Sequence, residues 1–269
     1  MLNTSWDKPL GKEWIELGKV YYSKIAATYD QGSYLQEHNR SYWLQLLQSY
    51  MSNALPATIL DLGCGTGKFA IPFAYELGYK VTGLDASKEM LQIARGKDYD
   101  NRLQFIVGDA YNLPFLDESF DAVFMSHLIH HLDDPIAMLR ECYRSIKPAG
   151  VAFIRFGAIE QIQDDVVHRF FPACLELDRQ RTPRKEEVEK VVKQAGFTQI
   201  ETREVVQQTF RNSIERVESV KSRSISILNL ISDDEFTRGL HHLQQYVSHH
   251  QDDSWLLQDK LSLCVGYKA

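Results

Sequence analysis

The residues best suited to chemistry are three aspartates that recur at equal intervals of 24 residues, Asp61, Asp85 and Asp109. Each stands at or just beyond the end of a short apolar run, which is the pattern of successive strands in βαβ units. Right-handed crossovers bring the carboxyl ends of parallel strands to one edge of a sheet, where open α/β folds bind ligands. A carboxylate roughly 20 residues beyond a glycine-rich turn can accept both hydroxyls of a ribose, so Asp85 is the candidate ribose ligand.

The turn that follows the first aspartate is rich in glycine, with Gly63, Gly65 and Gly67 spaced as G-x-G-x-G. A P-loop would place a lysine and then a hydroxyl residue after its last glycine, whereas Lys68 is followed by Phe69. A dinucleotide fingerprint would space its glycines as G-x-G-x-x-G, which disfavours an NAD-dependent oxidoreductase. The turn therefore predicts a nucleoside ligand without a pyrophosphate.

Four segments occur in the order found in a known family. They are Asp61–Gly67, Gly83–Asp85, Gly108–Ala110 together with Leu113–Phe115, and Ser119–Val123. On these segments the chain resembles the class I S-adenosylmethionine-dependent methyltransferases. Within that class it is similar to the small-molecule, methyltransferase type 11-like branch, which includes quinone-biosynthesis enzymes. The resemblance implies S-adenosyl-L-methionine as cofactor and methyl transfer to a small-molecule acceptor.

The resemblance also implies an α/β fold with a Rossmann-like, doubly wound sheet. Seven strands are expected, mostly parallel with an antiparallel last strand. The 269 residues are predicted to form a single methyltransferase domain. Residues 1–50 would be a helical N-terminal lid, residues 51–210 and 254–269 the core sheet with its helices, and residues 211–253 a helical insertion before the last strand.

Residues 211–253 lie outside the resemblance. Their pattern predicts two helices, about Ser213–Leu230 and about Asp234–Ser248, the second behind the capping box Ser232–Glu235. An insertion at this point would sit over the carboxyl edge of the sheet and shape the acceptor pocket. A dimerisation surface is the alternative role, so a homodimer is left open.

The resemblance assigns roles to residues near the glycine-rich turn. Asp61 is expected beside the α-amino group of the methionine part, and Asp85 at the ribose. Asp109 and the Ala110 amide are expected to recognise the adenine base. Met90 falls where the family packs an apolar side chain on adenine, although core packing explains it equally well. The residues predicted to contact the cofactor are Tyr29, Asp61, Gly63, Cys64, Gly65, Asp85, Ala86, Met90, Asp109, Ala110 and Ser126.

The fourth predicted strand, Phe120–Met125, leads into a histidine-rich segment where the methyl donor and its acceptor should meet. His127 leaves the strand first and is the candidate for contact with the acceptor, with His131 as a second catalytic candidate. A general base is optional in this displacement, but a phenol or enol acceptor would benefit from one, and His168 is a further histidine for that role. Adjacent histidines such as His130 and His131 cannot easily ligate one metal ion, so no metal is predicted.

Composition favours a small acceptor over nucleic acid. The formal net charge of −6 argues against a general phosphate-binding surface, and Ser126–Ile129 stands where an Asn-Pro-Pro-Tyr-type tetrapeptide would mark a nucleic-acid enzyme. Four scattered cysteines without a C-x-x-C pair suggest neither zinc nor a disulfide framework. No apolar run approaches the ~20 residues of a membrane helix, and the first residues lack a signal sequence. A cytoplasmic protein without membrane insertion is therefore expected.

One alternative shares every cofactor motif. A non-catalytic S-adenosylmethionine-binding regulatory protein would carry the same turn and the same three aspartates. The cofactor motifs constrain only one half of a transfer reaction, because they say nothing about the acceptor. Turnover on trial phenols would separate the enzyme from the regulator.

Overall fold

The computed structural model of the chain describes residues 26, 29–30, 35–51, 56–251 and 253–269. Its central feature is one sheet of seven strands. The strands are β1 (Thr58–Leu62), β2 (Lys80–Asp85), β3 (Gln104–Val107), β4 (Phe120–Ser126), β5 (Ile146–Phe156), β6 (Thr198–Gln208) and β7 (Gln258–Tyr267). Their order across the sheet is β3-β2-β1-β4-β5-β7-β6. The predicted seven-stranded, doubly wound sheet is confirmed.

The strand directions explain where a ligand site should form. Strand β1 is parallel to both β2 and β4, β2 is parallel to β3, and β4 is parallel to β5. Strand β7 runs antiparallel to β5, as expected for the last strand. The chain proceeds outward from β1 to β3 on one side and then returns to β4 on the other. The strand order therefore switches between β1 and β4, and open α/β sheets bind ligands beyond the carboxyl ends at such a point.

Helices connect these strands within the described part of the chain. They are α1 (Glu37–Tyr50), α2 (Ala70–Tyr75), α3 (Lys88–Lys97), α4 (Pro135–Ser145), α5 (Ile159–Ile162), α6 (Val166–Phe170), α7 (Pro172–Arg181), α8 (Lys185–Gln194), α9 (Ser213–Lys221) and α10 (Asp233–His249). Short 3-10 turns occupy Ile129–His131, Ser226–Asn229 and Ser254–Leu256. None of the helices in the described ranges has the length and apolar character needed to cross a membrane.

Side-chain caps determine where two helices beside the sheet edge begin. The Ser87 hydroxyl accepts a hydrogen bond from the Met90 amide at 3.2 Å, so α3 starts directly after β2. A carboxylate oxygen of Asp134 accepts from the Ala137 amide at 2.9 Å, and Pro135 occupies the first turn of α4. Both caps satisfy amides that have no partner inside the helix. They hold the residues between strand end and helix start in one conformation.

Aromatic packing anchors the sheet beneath this edge. Phe124 of β4 lies 4.7 Å from the ring of Phe69 and 5.2 Å from that of Phe73, measured between centroids. Trp43 of α1 is fully buried in the same cluster. Such pairs add to the free energy gained by burying apolar surface. These aromatic contacts therefore pack against the sheet close to the carboxyl ends of β1 and β4.

The chain folds into two compact units. One comprises residues 35–157, 184–205 and 261–269, and contains most of the sheet. The other comprises residues 1–34, 158–183 and 206–260. The predicted arrangement, a single domain with a lid at residues 1–50 and an insertion at residues 211–253, stays a prediction.

The unit that contains residues 206–260 has its own core, built from the helices α6, α7, α9 and α10. Helix α10 approaches α6 closely, because a Cβ added to Gly239 would lie 2.4 Å from Phe171 and 2.6 Å from the carbonyl oxygen of Phe170. Any larger residue at position 239 would force these helices apart. Leu228 and Leu243 are fully buried in this core.

The prediction of one helix over Ser213–Leu230 is wrong at its second half. Helix α9 ends at Lys221, and Arg223 then adopts a left-handed backbone with φ of 51°. The buried Ser224 hydroxyl donates to the Ser219 carbonyl, and the Asn229 amide donates to the Arg223 carbonyl at 2.8 Å. These side-chain bonds offer the backbone an alternative to the helix, as serine and asparagine commonly do. The following helix, α10, begins at its predicted capping box.

His168 occupies a buried ion cluster in the same unit. Its Nε2 lies 2.9 Å from one carboxylate oxygen of Asp178, and the other oxygen of Asp178 lies 2.7 Å from Nε of Arg181. Its Nδ1 lies 3.0 Å from Asp165 and 2.6 Å from the carbonyl oxygen of Ile162. Burial by itself would lower the pKa of His168, but the two carboxylates outweigh it and raise the pKa to about 10. His168 is thus engaged as a charged structural group and is not placed as a general base.

This cluster predicts a pH-dependent contribution to stability. The folded-state pKa of His168 is about 10, against about 6.5 in an unfolded chain. The contribution is therefore complete below about pH 6.5 and is lost as the pH rises toward 10. We expect His168→Gln to lower the free energy of unfolding by a few kcal/mol at pH 6, and by on the order of 2 kcal/mol less at pH 9.

Urea unfolding of the wild-type and variant proteins at both pH values measures this difference. His241→Gln, on an exposed face of α10, is the matched control and should change stability little at either pH. An equal penalty for His168→Gln at pH 6 and pH 9 would show that the charge of the imidazolium contributes nothing.

Candidate active site

The glycine-rich turn leaves β1 and folds against the end of β2. The amides of Gly63 and Cys64 both donate to the Leu84 carbonyl oxygen, at 2.8 and 3.1 Å. Gly65 adopts a left-handed backbone with φ of 53°, which disfavours most side chains. Among the described residues, no atom comes within 4 Å of a Cβ placed on Gly65. The turn therefore exposes its backbone at the carboxyl edge, as a close-approaching nucleoside requires.

Asp85 holds this turn in place. One oxygen of its carboxylate accepts from the Gly65 amide at 2.8 Å, and the other accepts from the Ser87 amide at 2.9 Å. Burial raises the pKa of Asp85, although these amide bonds act in the opposite direction. An ionised carboxylate has about four acceptor positions, so two amide bonds leave capacity for the hydroxyls of a ribose. The geometry fits the predicted role of Asp85.

Asp61 is the most deeply buried of the three aspartates, with 2% of its surface exposed. Burial raises its pKa to about 8, and the nearby charge of Asp85 acts in the same direction. A hydrogen bond from the Ala70 amide opposes this shift and links the end of β1 to the start of α2. A neighbouring cation would favour the charged carboxylate. The predicted contact of Asp61 with an α-amino group stays a prediction.

The third aspartate begins the turn after β3. Asp109 is exposed, and one oxygen of its carboxylate accepts from the Tyr111 amide at 2.9 Å. Ala86, next to Asp85, is also exposed. Met90 and Cys64 are buried, with 2% and 6% of their surface exposed. Core packing therefore accounts for these two side chains, and their predicted contact with the cofactor stays a prediction.

On the other side of the switch point, β4 ends at Ser126 and leads into the histidine-rich segment. His127 has a left-handed backbone with φ of 53°, and the residue as a whole retains solvent-accessible surface. The His127 amide donates to the Arg155 carbonyl oxygen at 2.8 Å, which extends the pairing of β4 with β5 by one residue. A 3-10 turn follows at Ile129–His131, closed by a bond of 2.9 Å from the His131 amide to the Leu128 carbonyl.

The electrostatic surroundings keep His127 neutral. Protein atoms packed around the imidazole hold the pKa of His127 well below its usual range, and the positive charges of Arg155 and Lys68 act in the same direction. A neutral imidazole has a lone pair and can accept a proton at neutral pH. His127 therefore has the protonation state that a general base needs.

Arg155 was not identified from the sequence. Its Nη1 donates to the Ser126 hydroxyl at 2.9 Å, and its guanidinium carbon lies 4.7 Å from the ring centre of Trp43. The residue is 5% exposed and lies opposite Ser126 in the parallel register. A positive charge within the apolar run Val151–Phe156 was the available signal, because arginine is rarely buried unless it has a specific partner. Arg155 places a cation beside the two candidate residues at the end of β4, Ser126 and His127.

The role of Tyr29 and the expected absence of a metal both stay predictions. Tyr29 belongs to the unit that contains residues 1–34. Within the residues that the structure describes, no group of three or more histidine, cysteine, aspartate or glutamate side chains could hold a metal ion.

Three features of the structure are those of the class I methyltransferase fold. The sheet is doubly wound, a G-x-G-x-G turn preceded by an acid lies at its switch point, and a carboxylate ends the second strand. The model of the family described as "Methyltransferase domain" matches residues 60–154. These residues, which run from β1 through β5, are the part of the chain that is similar to this family. The resemblance to the class I methyltransferases that was inferred from the motifs is confirmed.

Similar proteins agree with this assignment. A demethylmenaquinone methyltransferase of Oceanobacillus iheyensis is 34% identical over 149 residues, which are 53% of this chain and 62% of that protein. A second one, of Thermotoga maritima, is 38% identical over 109 residues, which are 40% of this chain and 47% of that protein. The chain thus spans about half to three fifths of the length of these curated relatives.

The fold is shared over a greater length. Phosphoethanolamine N-methyltransferase 2 of Haemonchus contortus, solved in complex with S-adenosyl-L-methionine, superposes with a TM-score of 0.65 at 21% identity. That match covers 97% of this chain and 61% of the solved chain. At this level of identity the likeness establishes the fold of the chain.

Proposed function

We propose that this protein transfers a methyl group from S-adenosyl-L-methionine to a small-molecule acceptor. The observation that carries the proposal is the Asp85 carboxylate at the end of β2, which accepts hydrogen bonds from the amides of Gly65 and Ser87. This arrangement holds the backbone turn beside the acid that we propose as the ribose ligand. The match of residues 60–154 to the methyltransferase domain supports the same assignment.

The residues at the strand ends would bind the two halves of the cofactor. Asp85 would accept the ribose hydroxyls, while Asp109 and the Ala110 amide would read adenine beyond β3. The turn glycines and Asp61 would hold the methionine part. When bound, S-adenosyl-L-methionine supplies a methyl group on a sulfonium, which a nucleophile takes by in-line displacement as S-adenosylhomocysteine leaves. Orientation of the reactants alone is worth ~7 kcal/mol or more in well-aligned cases.

For the acceptor we propose a hydroxylated aromatic ring of the quinol type. The neutral imidazole of His127 would take the proton of the ring hydroxyl, and the cationic Arg155 and Lys68 would favour the oxyanion that results. Methyl attachment would then occur at an atom made nucleophilic by that negative charge. The names of the relatives from Oceanobacillus iheyensis and Thermotoga maritima, both demethylmenaquinone methyltransferases, support this substrate class.

The remaining expectations about partners are proposals of the same kind. The net charge of −6 favours a small acceptor over DNA or RNA. All four cysteines are buried and unpaired by disulfides, which suits a reducing compartment such as the cytoplasm. Residues 211–253 remain the proposed site of an acceptor-shaping insertion or of a homodimer contact.

Calorimetry with S-adenosyl-L-methionine and S-adenosylhomocysteine, followed by an acceptor screen, tests the function. We expect micromolar binding of both ligands and methylation of small quinols or phenols, detected by mass spectrometry. Binding without turnover on any acceptor would favour the non-catalytic regulator. A folded sample that binds neither ligand would contradict the proposal altogether.

A further inference from the structure

Tyr111 connects two loops that carry different halves of the proposed site. It follows Asp109 and Ala110, the residues assigned to adenine. Its hydroxyl oxygen accepts hydrogen bonds from two successive backbone amides, that of Asp133 at 2.9 Å and that of Asp134 at 3.1 Å. Those amides lie at the start of α4, two and three residues beyond His131. One side chain thus joins the turn after β3 to the end of the histidine-rich segment.

The turn after β3 is tightly organised around this tyrosine. The Tyr111 amide donates to the Asp109 carboxylate at 2.9 Å, so a ligand that contacts Asp109 acts on the residue that positions Tyr111. The Asn112 amide donates to the Asp109 carbonyl at 3.2 Å and closes the turn. A displacement of this turn must therefore move the Tyr111 ring, because the backbone bonds allow little independent motion.

The far end of the same loop is fixed to α4 as well. The Leu113 amide donates to the Glu141 carboxylate at 3.0 Å, and the Arg144 guanidinium donates to the carbonyl oxygens of Leu113 and Phe115 at 3.1 and 2.7 Å. These contacts hold the loop on the body of the helix. Among the loop's contacts with α4 within the described residues, those of Tyr111 lie at the start of the helix, where the chain arrives from the histidine-rich segment.

We propose that Tyr111 is a positioning residue that couples cofactor occupancy to the conformation of residues 127–134. Binding of the nucleoside would order the turn at Asp109, and the hydroxyl of Tyr111 would transmit that order to the amides of Asp133 and Asp134. His127 would then be held at the distance that transfer requires. The consequence is an order of binding, with the cofactor before the acceptor. This inference rests on the proposed function.

The test is Tyr111→Phe, which keeps the ring and removes only the oxygen that accepts both amides. Tyr99→Phe is the matched control, because Tyr99 is 75% exposed and lies outside this contact. For each protein, calorimetry gives the dissociation constant of S-adenosylhomocysteine, and hydrogen exchange follows residues 127–134 with and without it. Thermal unfolding confirms that each variant is folded. The exchange readout needs no acceptor.

We expect S-adenosylhomocysteine to slow exchange over residues 127–134 in the wild type and in Tyr99→Phe. In Tyr111→Phe this protection should disappear while the dissociation constant stays within about threefold. With a quinol acceptor, kcat should fall about tenfold or more and the KM for the cofactor should change little, because a small misplacement costs rate rather than binding. A variant that was only destabilised would not lose kcat while keeping its KM for the cofactor.

Two results would overturn the coupling and leave the proposed function intact. One is that Tyr111→Phe keeps the ligand-induced protection from exchange, and the other is that the wild type binds the ligand without protecting residues 127–134. A wild type that binds neither S-adenosyl-L-methionine nor S-adenosylhomocysteine removes the proposed function, and the coupling falls with it. The binding measurement therefore distinguishes the two failures.

Discussion

Replacing His127 with alanine should lower turnover about a hundredfold or more, while the affinity for S-adenosylhomocysteine stays within about threefold. The imidazole lies at the end of β4, and the surrounding protein atoms and nearby cations hold its pKa well below its usual range, so it is neutral and can take a proton from a hydroxylated acceptor. Single-turnover kinetics with a quinol acceptor would measure the loss. His38→Ala, on the exposed face of α1, is the matched control and should leave turnover unchanged.

The pH profile gives the same residue a second test. Because the pKa of His127 lies well below the usual range of histidine, kcat/KM should be level across neutral pH and should fall only at acid pH. His131→Ala separates the two candidate histidines, since the larger loss is expected for His127. Unchanged turnover together with unchanged acceptor binding in His127→Ala would reject its role.

Replacing Asp85 with alanine should weaken binding of S-adenosyl-L-methionine tenfold or more. The substitution removes the acceptor of the Gly65 and Ser87 amides as well as the proposed partner of the ribose hydroxyls. An unsatisfied buried polar group costs about 1–3 kcal/mol, and a tenfold loss of affinity corresponds to about 1.4 kcal/mol. Calorimetry on the purified variant measures the change directly.

The matched control for this variant is Asp100→Ala. Asp100 pairs with Arg102 at 3.0 Å on the surface, where an ion pair contributes little free energy. Its removal should leave the dissociation constant unchanged. Equal affinity in Asp85→Ala and the wild type would disprove the assignment of Asp85 to the cofactor.

Much of the candidate cofactor site could be predicted from the sequence, because the motifs that form it are local in the chain. The spacing of Asp61, Asp85 and Asp109 follows from the length of one helix and one strand, and parallel strands must end at a common edge. The left-handed backbone of Gly65 is a requirement that glycine meets at least cost. The cap at Ser87 likewise depends on residues within one turn of each other.

The helical part of residues 211–253 shows where local reasoning fails. The capping box at Ser232–Glu235 predicted the start of α10, and in the structure α10 begins at that box. The end of α9 could not be predicted in the same way, because Ser224 and Asn229 compete for backbone groups only once the chain has turned at Arg223. His168 illustrates the same point, since its two carboxylate partners are set by how α6 and α7 meet.

The sequence by itself therefore determined the class of sheet, the nucleoside-type turn and the three aspartates, since each depends on residues close together in the chain. Only the tertiary structure decided that Arg155 would lie against Ser126, and that the Tyr111 hydroxyl would bind the amides before α4. These pairs are 29 and 22 or 23 residues apart, and they form through strand register and helix packing. Register and packing are properties of the whole core, because side chains there must fill space together.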